Sequence, residues 1–326
     1  MDHILELDKT EIESLINFAS ILDFGELQNH FSESEATEIF CDRCKKMARC
    51  LPHRIIDKLM HFKKHGSNTG FLLIKTIPIG NLPETPLGNN YRIGEKTTLA
   101  SIQSILMHAI SDIIAYEAEG YGRIFQDVVP IQSMASVQTS LGSNTELEIH
   151  TEQAFSNLRP DILSLACLKG DSFAYTHILP VQRIIDNMSN EEIELLQKPL
   201  WETGVDISFK LNGHEFIEGD RRGPMAILNN GKLVFDQDLM NGITEEAEQL
   251  IHKIVDIYYK QRISHNLKPG EIILIDNNRA VHGRSPFFPK YDGNDRFLIR
   301  CFSTFDYEKS KYARADLGRV ISAIYS

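Results

Sequence analysis

Between residues 128 and 168 the apolar runs of this chain are too short to be helices. Residues 128–131, 136–139, 147–152 and 162–168 are each bounded by turn-forming residues, a spacing that predicts strands. EIILID (271–276) and FLLIKTI (71–77) read as buried strands for the same reason. The second half is therefore expected to be β-rich.

The first third reads as helical. Thr10 and Glu13 form a capping box ahead of an apolar stripe of Ile12, Leu15, Ile16, Ala19 and Leu22. A second helix starts near Ser32 or Ser34 and stops before Pro52, whose ring then opens a third through Ile55, Ile56, Leu59 and Met60. Leu99, Ile102, Leu106, Ala109, Ile110 and Ile113 recur at helical spacing, predicting one helix over 97–119 with Gly120 as its C-cap. Residues 189–197, capped by Ser189 and Glu192, and residues 243–261, capped by Thr244, complete the helices. Residues 211–225, LNGHEFIEGDRRGPM, are either a lid, within a region of about 205–225, or a solvated hairpin.

With 326 residues, 42% of them hydrophobic, the chain can bury a large core. No repeat or linker divides it, so one domain is expected: a mostly helical part (1–120), a β core (121–305) and a tail (306–326). The net charge of -11 argues against nucleic acid or an anionic membrane as partner. The acidic N-terminus, MDHILELDKTEIE, resembles no signal peptide, and a cytosolic protein is expected. Five cysteines without a secretory signal favour reduced thiols. Cys41, Cys44, Cys50 and His53 invite a zinc reading, but on one helix Cys41 and Cys50 fall on opposite sides, so ordinary helix positions are expected.

The chemistry begins at LEIHTEQAF. If residues 147–152 are a strand, Glu148, His150 and Glu152 share a face. An imidazole beside a carboxylate is most of the facial triad in which two His and one carboxylate hold Fe(II). The pair alone is common, but NNRAVHGRSPF supplies His282, and DRFLIRCF sets Arg296, Leu298 and Arg300 on one strand face. Two inward guanidiniums are costly to bury without anions, so they predict bound carboxylates. A two-His-one-carboxylate metal with a bidentate arginine clamp for a dicarboxylate suits oxygenation dependent on 2-oxoglutarate.

QTSLGSNTELEIHTEQAF, LSLACLKG, DNNRAVHGRSPF and DRFLIRCF together resemble the clavaminate synthase-like Fe(II)/2-oxoglutarate oxygenases, and within them the bacterial hydroxylases of free lysine and arginine. The likeness runs from about residue 120 to 305. It implies a fold that is mainly β with flanking helices, a double-stranded β-helix (jelly roll) behind a helical N-terminal part. It further implies that His150, Glu152 and His282 hold Fe(II), with His-x-Glu replacing the commoner His-x-Asp. Arg296, with Thr176 beside it, takes the cosubstrate 2-oxoglutarate, and O2 is the oxidant. Arg300 takes the amino acid's α-carboxylate, with Gln138, Ser140 and Glu152 also against the substrate.

A basic side chain entering such a pocket needs a carboxylate, since an unpaired ammonium loses its hydration without recompense. Asp236 and Asp238, on one face if VFDQDLM is extended, are preferred to Asp220; the alternative is a pair of solvated acids in a loop. The implied activity is hydroxylation at C3 or C4 of a free basic L-amino acid, lysine first, then arginine or ornithine. A desaturase uses the same residues. A halogenase would lack Glu152, a zinc hydrolase has no use for Arg296, and a non-catalytic amino-acid-binding jelly roll would not need the arginine clamp. Oligomeric state is not legible.

Overall fold

The computed structural model describes residues 2–210, 215–314 and 318–326. Its N-terminal part contains β1 (Ile4–Glu6), α1 (Lys9–Ser20), α2 (Phe24–His30), α3 (Glu33–Ala48), α4 (His53–His65), β2 (Phe71–Lys75) and α5 (Thr98–His108). Strands β3 (Asp112–Tyr116), β4 (Gln126–Val128), β5 (Leu147–His150), β6 (Ile162–Lys169) and β7 (Thr176–Pro180) follow. Next come α6 (Val181–Ile185), α7 (Asn190–Leu196), β8 (Trp201–Gly204), α8 (Ile207–Lys210), β9 (Arg221–Met225), β10 (Leu228–Asn229), β11 (Lys232–Leu233), β12 (Met240–Gly242) and α9 (Glu245–Gln261). The chain closes with β13 (Ile263–His265), β14 (Ile272–Asp276), β15 (Ala280–Arg284), β16 (Phe297–Thr304) and β17 (Val320–Ile321).

The period of two along the strands builds the layers. In the large sheet, ordered β1-β2-β14-β6-β16-β3-β17 with β4 also on β16, alternate residues face opposite ways. Leu72, Ile74, Ala166, Ile272, Leu274 and Ile299 pack under the N-terminal helices. Leu73, Leu165, Cys167, Ile273, Ile275 and Leu298 pack inward. There they meet Ile178 and Ala280 of the smaller sheet, ordered β13-β7-β15-β5. Ile149, Leu179 and Val281 on that sheet's far face pack against α9. Two facing sheets, antiparallel but for the outer pairs β1–β2 and β3–β17, with helices on both outer faces, form the expected jelly roll.

Several local expectations change. The first capping box is Asp8 with Glu11, two residues earlier than Thr10 with Glu13. The helix expected over 97–119 ends at His108, and Asp112–Tyr116 is a strand instead. Ile113 continues the helical spacing by coincidence; pairing of Ile113 with Ser303 and of Ile114 with Phe302 of β16 outweighs it. Gly120 consequently caps no helix. Residues 136–139 form turns after a 3-10 turn, Gln132–Met134, and not a strand. Part of the lid candidate, residues 211–214, lies outside the described residues, and Arg221–Met225 pairs with Trp201–Gly204. Cys41 and Cys44 are buried on α3, whereas Cys50 is exposed past its end. Among the described residues no helix is long and apolar enough to cross a membrane.

Candidate active site

Strands β5 and β15 lie side by side in the smaller sheet, with His282 directly opposite His150. Strand β5 stops at His150, so Glu152 is placed by other means than the strand pleat. Asn277, at the end of the β14 run, clamps its backbone: Glu152 N–H donates to Asn277 Oδ1 at 2.7 Å, and Asn277 Nδ2 donates to the Glu152 carbonyl at 3.1 Å. A second bond from Asn277 Nδ2 to the Pro160 carbonyl, 2.8 Å, fixes the amide itself. The result is convergence of His150, Glu152 and His282, whose ligand atoms all lie within 4.8 Å of one another.

The electrostatics suit a cation. Burial alone would raise the Glu152 carboxyl, but the His282 hydrogen bond and the nearby Arg300, His282 and His150 charges hold it at about 2. Burial, then His150, lowers His282. His150 Nδ1 is 2.8 Å from the Glu148 carbonyl, which sets Nδ1 as donor and leaves Nε2 with a free lone pair. Two imidazoles and a carboxylate around one point are the donor set that fits divalent iron.

These groups line a cavity that also holds Thr176, Arg284, Arg296 and Arg300. Arg296 is 6% exposed, and among the described residues it makes no hydrogen bond or ion pair; its guanidinium lies 5.7 Å from the Phe287 ring centroid. Burial pulls it down to about 10. Such a group calls for an external anion. Thr176, buried and lining the cavity, is opposite Arg284 in the sheet.

Arg300 differs from the sequence-based expectation. The protein already supplies its counterion: Arg300 Nη2 pairs with Glu119, Nε donates to Gln126 Oε1 at 2.9 Å, and Nη1 donates to Ser140 Oγ at 3.3 Å. Glu119 was missed because it sat at the end of an expected helix. The β-branched run of DIIAY was the available signal, since a strand ending at Tyr116 and a tight Tyr116–Glu119 bridge turn Glu119 into the cavity. Gly120 beside it has φ 61, and a Cβ there would meet the Gln126 side chain at 2.2 Å. Only glycine lets Gln126 reach Arg300.

The remaining candidates are placed less simply. Both ends of the Gln138 amide serve backbone, donating to the Glu146 carbonyl at 2.9 Å and accepting from Glu148 N at 3.2 Å. Asp236 and Asp238 both line the cavity but lie in a turn, where Asp236 Oδ1 accepts from Asp238 N and Leu239 N. Asp238 and Glu148 make no side-chain hydrogen bond among the described residues, and burial, then Asp238, raises Glu148. Arg284, also missed, donates to the Gly142 and Thr145 carbonyls and so ties the metal strand to the loop bearing Ser140.

Residues 100–302 match the family model described as taurine catabolism dioxygenase TauD, TfdA family. An L-lysine 3-hydroxylase of Catenulispora acidiphila is 43% identical over 328 residues, 99% of this chain and 90% of that one. An L-asparagine oxygenase of Streptomyces coelicolor is 31% identical, covering 81% and 80% respectively. Among solved structures, asparagine oxygenase in complex with Fe(II), 2S,3S-3-hydroxyasparagine and succinate superposes with a TM-score of 0.86 at 25% identity, over 98% of this chain and 99% of that one.

Proposed function

From the premise that the chain belongs to the TauD/TfdA family of dioxygenases, we propose that it is an Fe(II)- and 2-oxoglutarate-dependent hydroxylase of a free basic L-amino acid, L-lysine, acting at C3. The observation that carries this reading is the cavity itself. It holds His150, Glu152 and His282 together with Arg296, a buried guanidinium that no protein anion meets among the described residues. The lysine hydroxylase relative, similar along nearly the whole chain, supports both substrate and carbon.

His150, Glu152 and His282 would hold Fe(II), which with 2-oxoglutarate and O2 as co-reactants would supply the oxidising power to replace a C–H by C–OH, 2-oxoglutarate being converted to succinate and CO2. Arg296 pairs the far carboxylate of 2-oxoglutarate, with Thr176 beside it. Arg300, oriented by Gln126, Ser140 and Glu119, receives the α-carboxylate of the amino acid. Glu119 faces the same space and accepts from the α-ammonium. Asp238 and Glu148, with Asp236 behind them, offer carboxylates to the side-chain ammonium. Anchoring the substrate at both ends decides which carbon faces the metal, because the oxidant does not discriminate between aliphatic carbons by itself.

A cytoplasmic setting is consistent with five free cysteines and a net charge of -11. The test is a panel of free L-amino acids incubated with Fe(II), 2-oxoglutarate and ascorbate, scored by mass for one added oxygen and by succinate. L-lysine should give a hydroxylated product; turnover of arginine or ornithine alone would move the substrate assignment, and no turnover on any free amino acid would overturn it.

A further inference from the structure

Gln153 follows the carboxylate of the triad and has no role in the site as described so far. It is 6% exposed and lines the cavity. Its backbone stands at φ 53, in the left-handed region that a side chain with a Cβ seldom occupies, so the turn after Glu152 holds it there against local preference. Its Nε2 donates to Glu119 Oε2 at 3.2 Å. That bond fixes the amide orientation, because the reverse would set its carbonyl oxygen against a carboxylate. Gln153 Oε1 is then a buried acceptor that no donor meets among the described residues.

Glu119 is thus held from both sides, one oxygen by Arg300 and the other by Gln153. A ligand whose carboxylate sits on Arg300 and whose adjacent carbon bears an ammonium would bring three N–H donors to this spot. Water can satisfy an isolated acceptor, but an ammonium satisfies the acceptor and the anion together.

We propose that Gln153 is a substrate-binding residue specific for the α-amine: Oε1 accepts an N–H from the ammonium while Nε2 holds Glu119 turned toward it. The claim rests on the functional reading above and extends it to an unassigned residue. It explains how one cavity wall can prefer an α-amino acid to a plain carboxylic acid carrying the same side chain.

The test is calorimetric binding to the anaerobic holoenzyme loaded with Fe(II) and 2-oxoglutarate, comparing L-lysine with 6-aminohexanoate, which lacks only the α-amine. Gln153→Met, which keeps the length and removes the amide, should weaken L-lysine by about tenfold or more and leave 6-aminohexanoate within about twofold. Gln153→Leu, which removes the amide with a different side-chain shape, should give the same selective loss of lysine, an independent reading should the methionine variant not fold. Equal losses for both ligands, or no loss for lysine, in either folded variant would overturn the proposal. If the wild type binds no basic amino acid, it is the functional reading that fails; the amine claim is then read on whichever amino acid the panel selects against its deamino analogue.

Discussion

Glu152 Oε1 lies 3.1 Å from His282 Nε2, across 130 residues of sequence. The contact joins the turn after β5 to the middle of β15, and it exists because Asn277 pins the Glu152 backbone while sheet register sets His282 opposite His150. Burial would raise the Glu152 carboxyl, but the His282 hydrogen bond and nearby Arg300 hold it well below the usual carboxylate range, so the site presents an anion to a cation.

His150→Ala, Glu152→Ala and His282→Ala should each weaken Fe(II) binding by more than the about 10–100-fold typical of losing an outer hydrogen-bond partner. Equilibrium dialysis with Fe(II) under argon measures this without turnover. Unchanged affinity in any of them would remove that residue from the metal site.

The two cavity arginines should separate cleanly in steady-state kinetics. Arg296→Ala is expected to raise KM for 2-oxoglutarate by about 10–100-fold, the worth of a charge-assisted hydrogen-bonded pair, with a small change for the amino acid. Arg300→Ala should do the reverse. Swapped effects would mean that the roles are exchanged.

Glu119→Gln keeps the shape of the side chain but removes the charge facing the α-amine and leaves Arg300 without its protein counterion. KM for the amino acid should rise by about tenfold or more while KM for 2-oxoglutarate holds. A variant with wild-type KM for lysine would show that Glu119 serves Arg300 alone.

Asp161 offers a test of the scaffold away from the chemistry. Burial would raise its carboxyl, but Asn278, the Phe305 N–H and Thr304 hold it below the usual value. A depressed carboxyl contributes stability that is fully present above its unfolded value of about 4 and is lost as pH falls through the lower folded value. Asp161→Asn should therefore cost about 1–3 kcal/mol at neutral pH. Thermal melts should show the gap to wild type closing below about pH 4; a gap independent of pH would contradict the assignment.

What was legible in the sequence follows from how local each signal is. The alternation of Phe297, Leu298 and Ile299 marks the strand and its inward face, and the structure keeps it, with Leu298 inward and Phe297 and Ile299 under the helices. Ser189 with Glu192 and Thr244 are local caps, and both helices start there. Glu119 was not legible, because the apolar stripe running from Leu99 to Ile113 fits a helix as well as a helix followed by a strand, and only pairing with β16 decides. Asp236 illustrates the other limit. Its carboxylate serves a turn whose backbone N–H groups needed an acceptor, a demand that the spacing of two acids does not reveal.

The central claim is most directly tested by incubating the protein with Fe(II), 2-oxoglutarate, O2 and L-lysine and measuring succinate and hydroxylated lysine in the same samples. The account predicts equal amounts of the two, with the oxygen at C3. Succinate formed at the same rate with and without lysine, and no oxygenated amino acid, would contradict it.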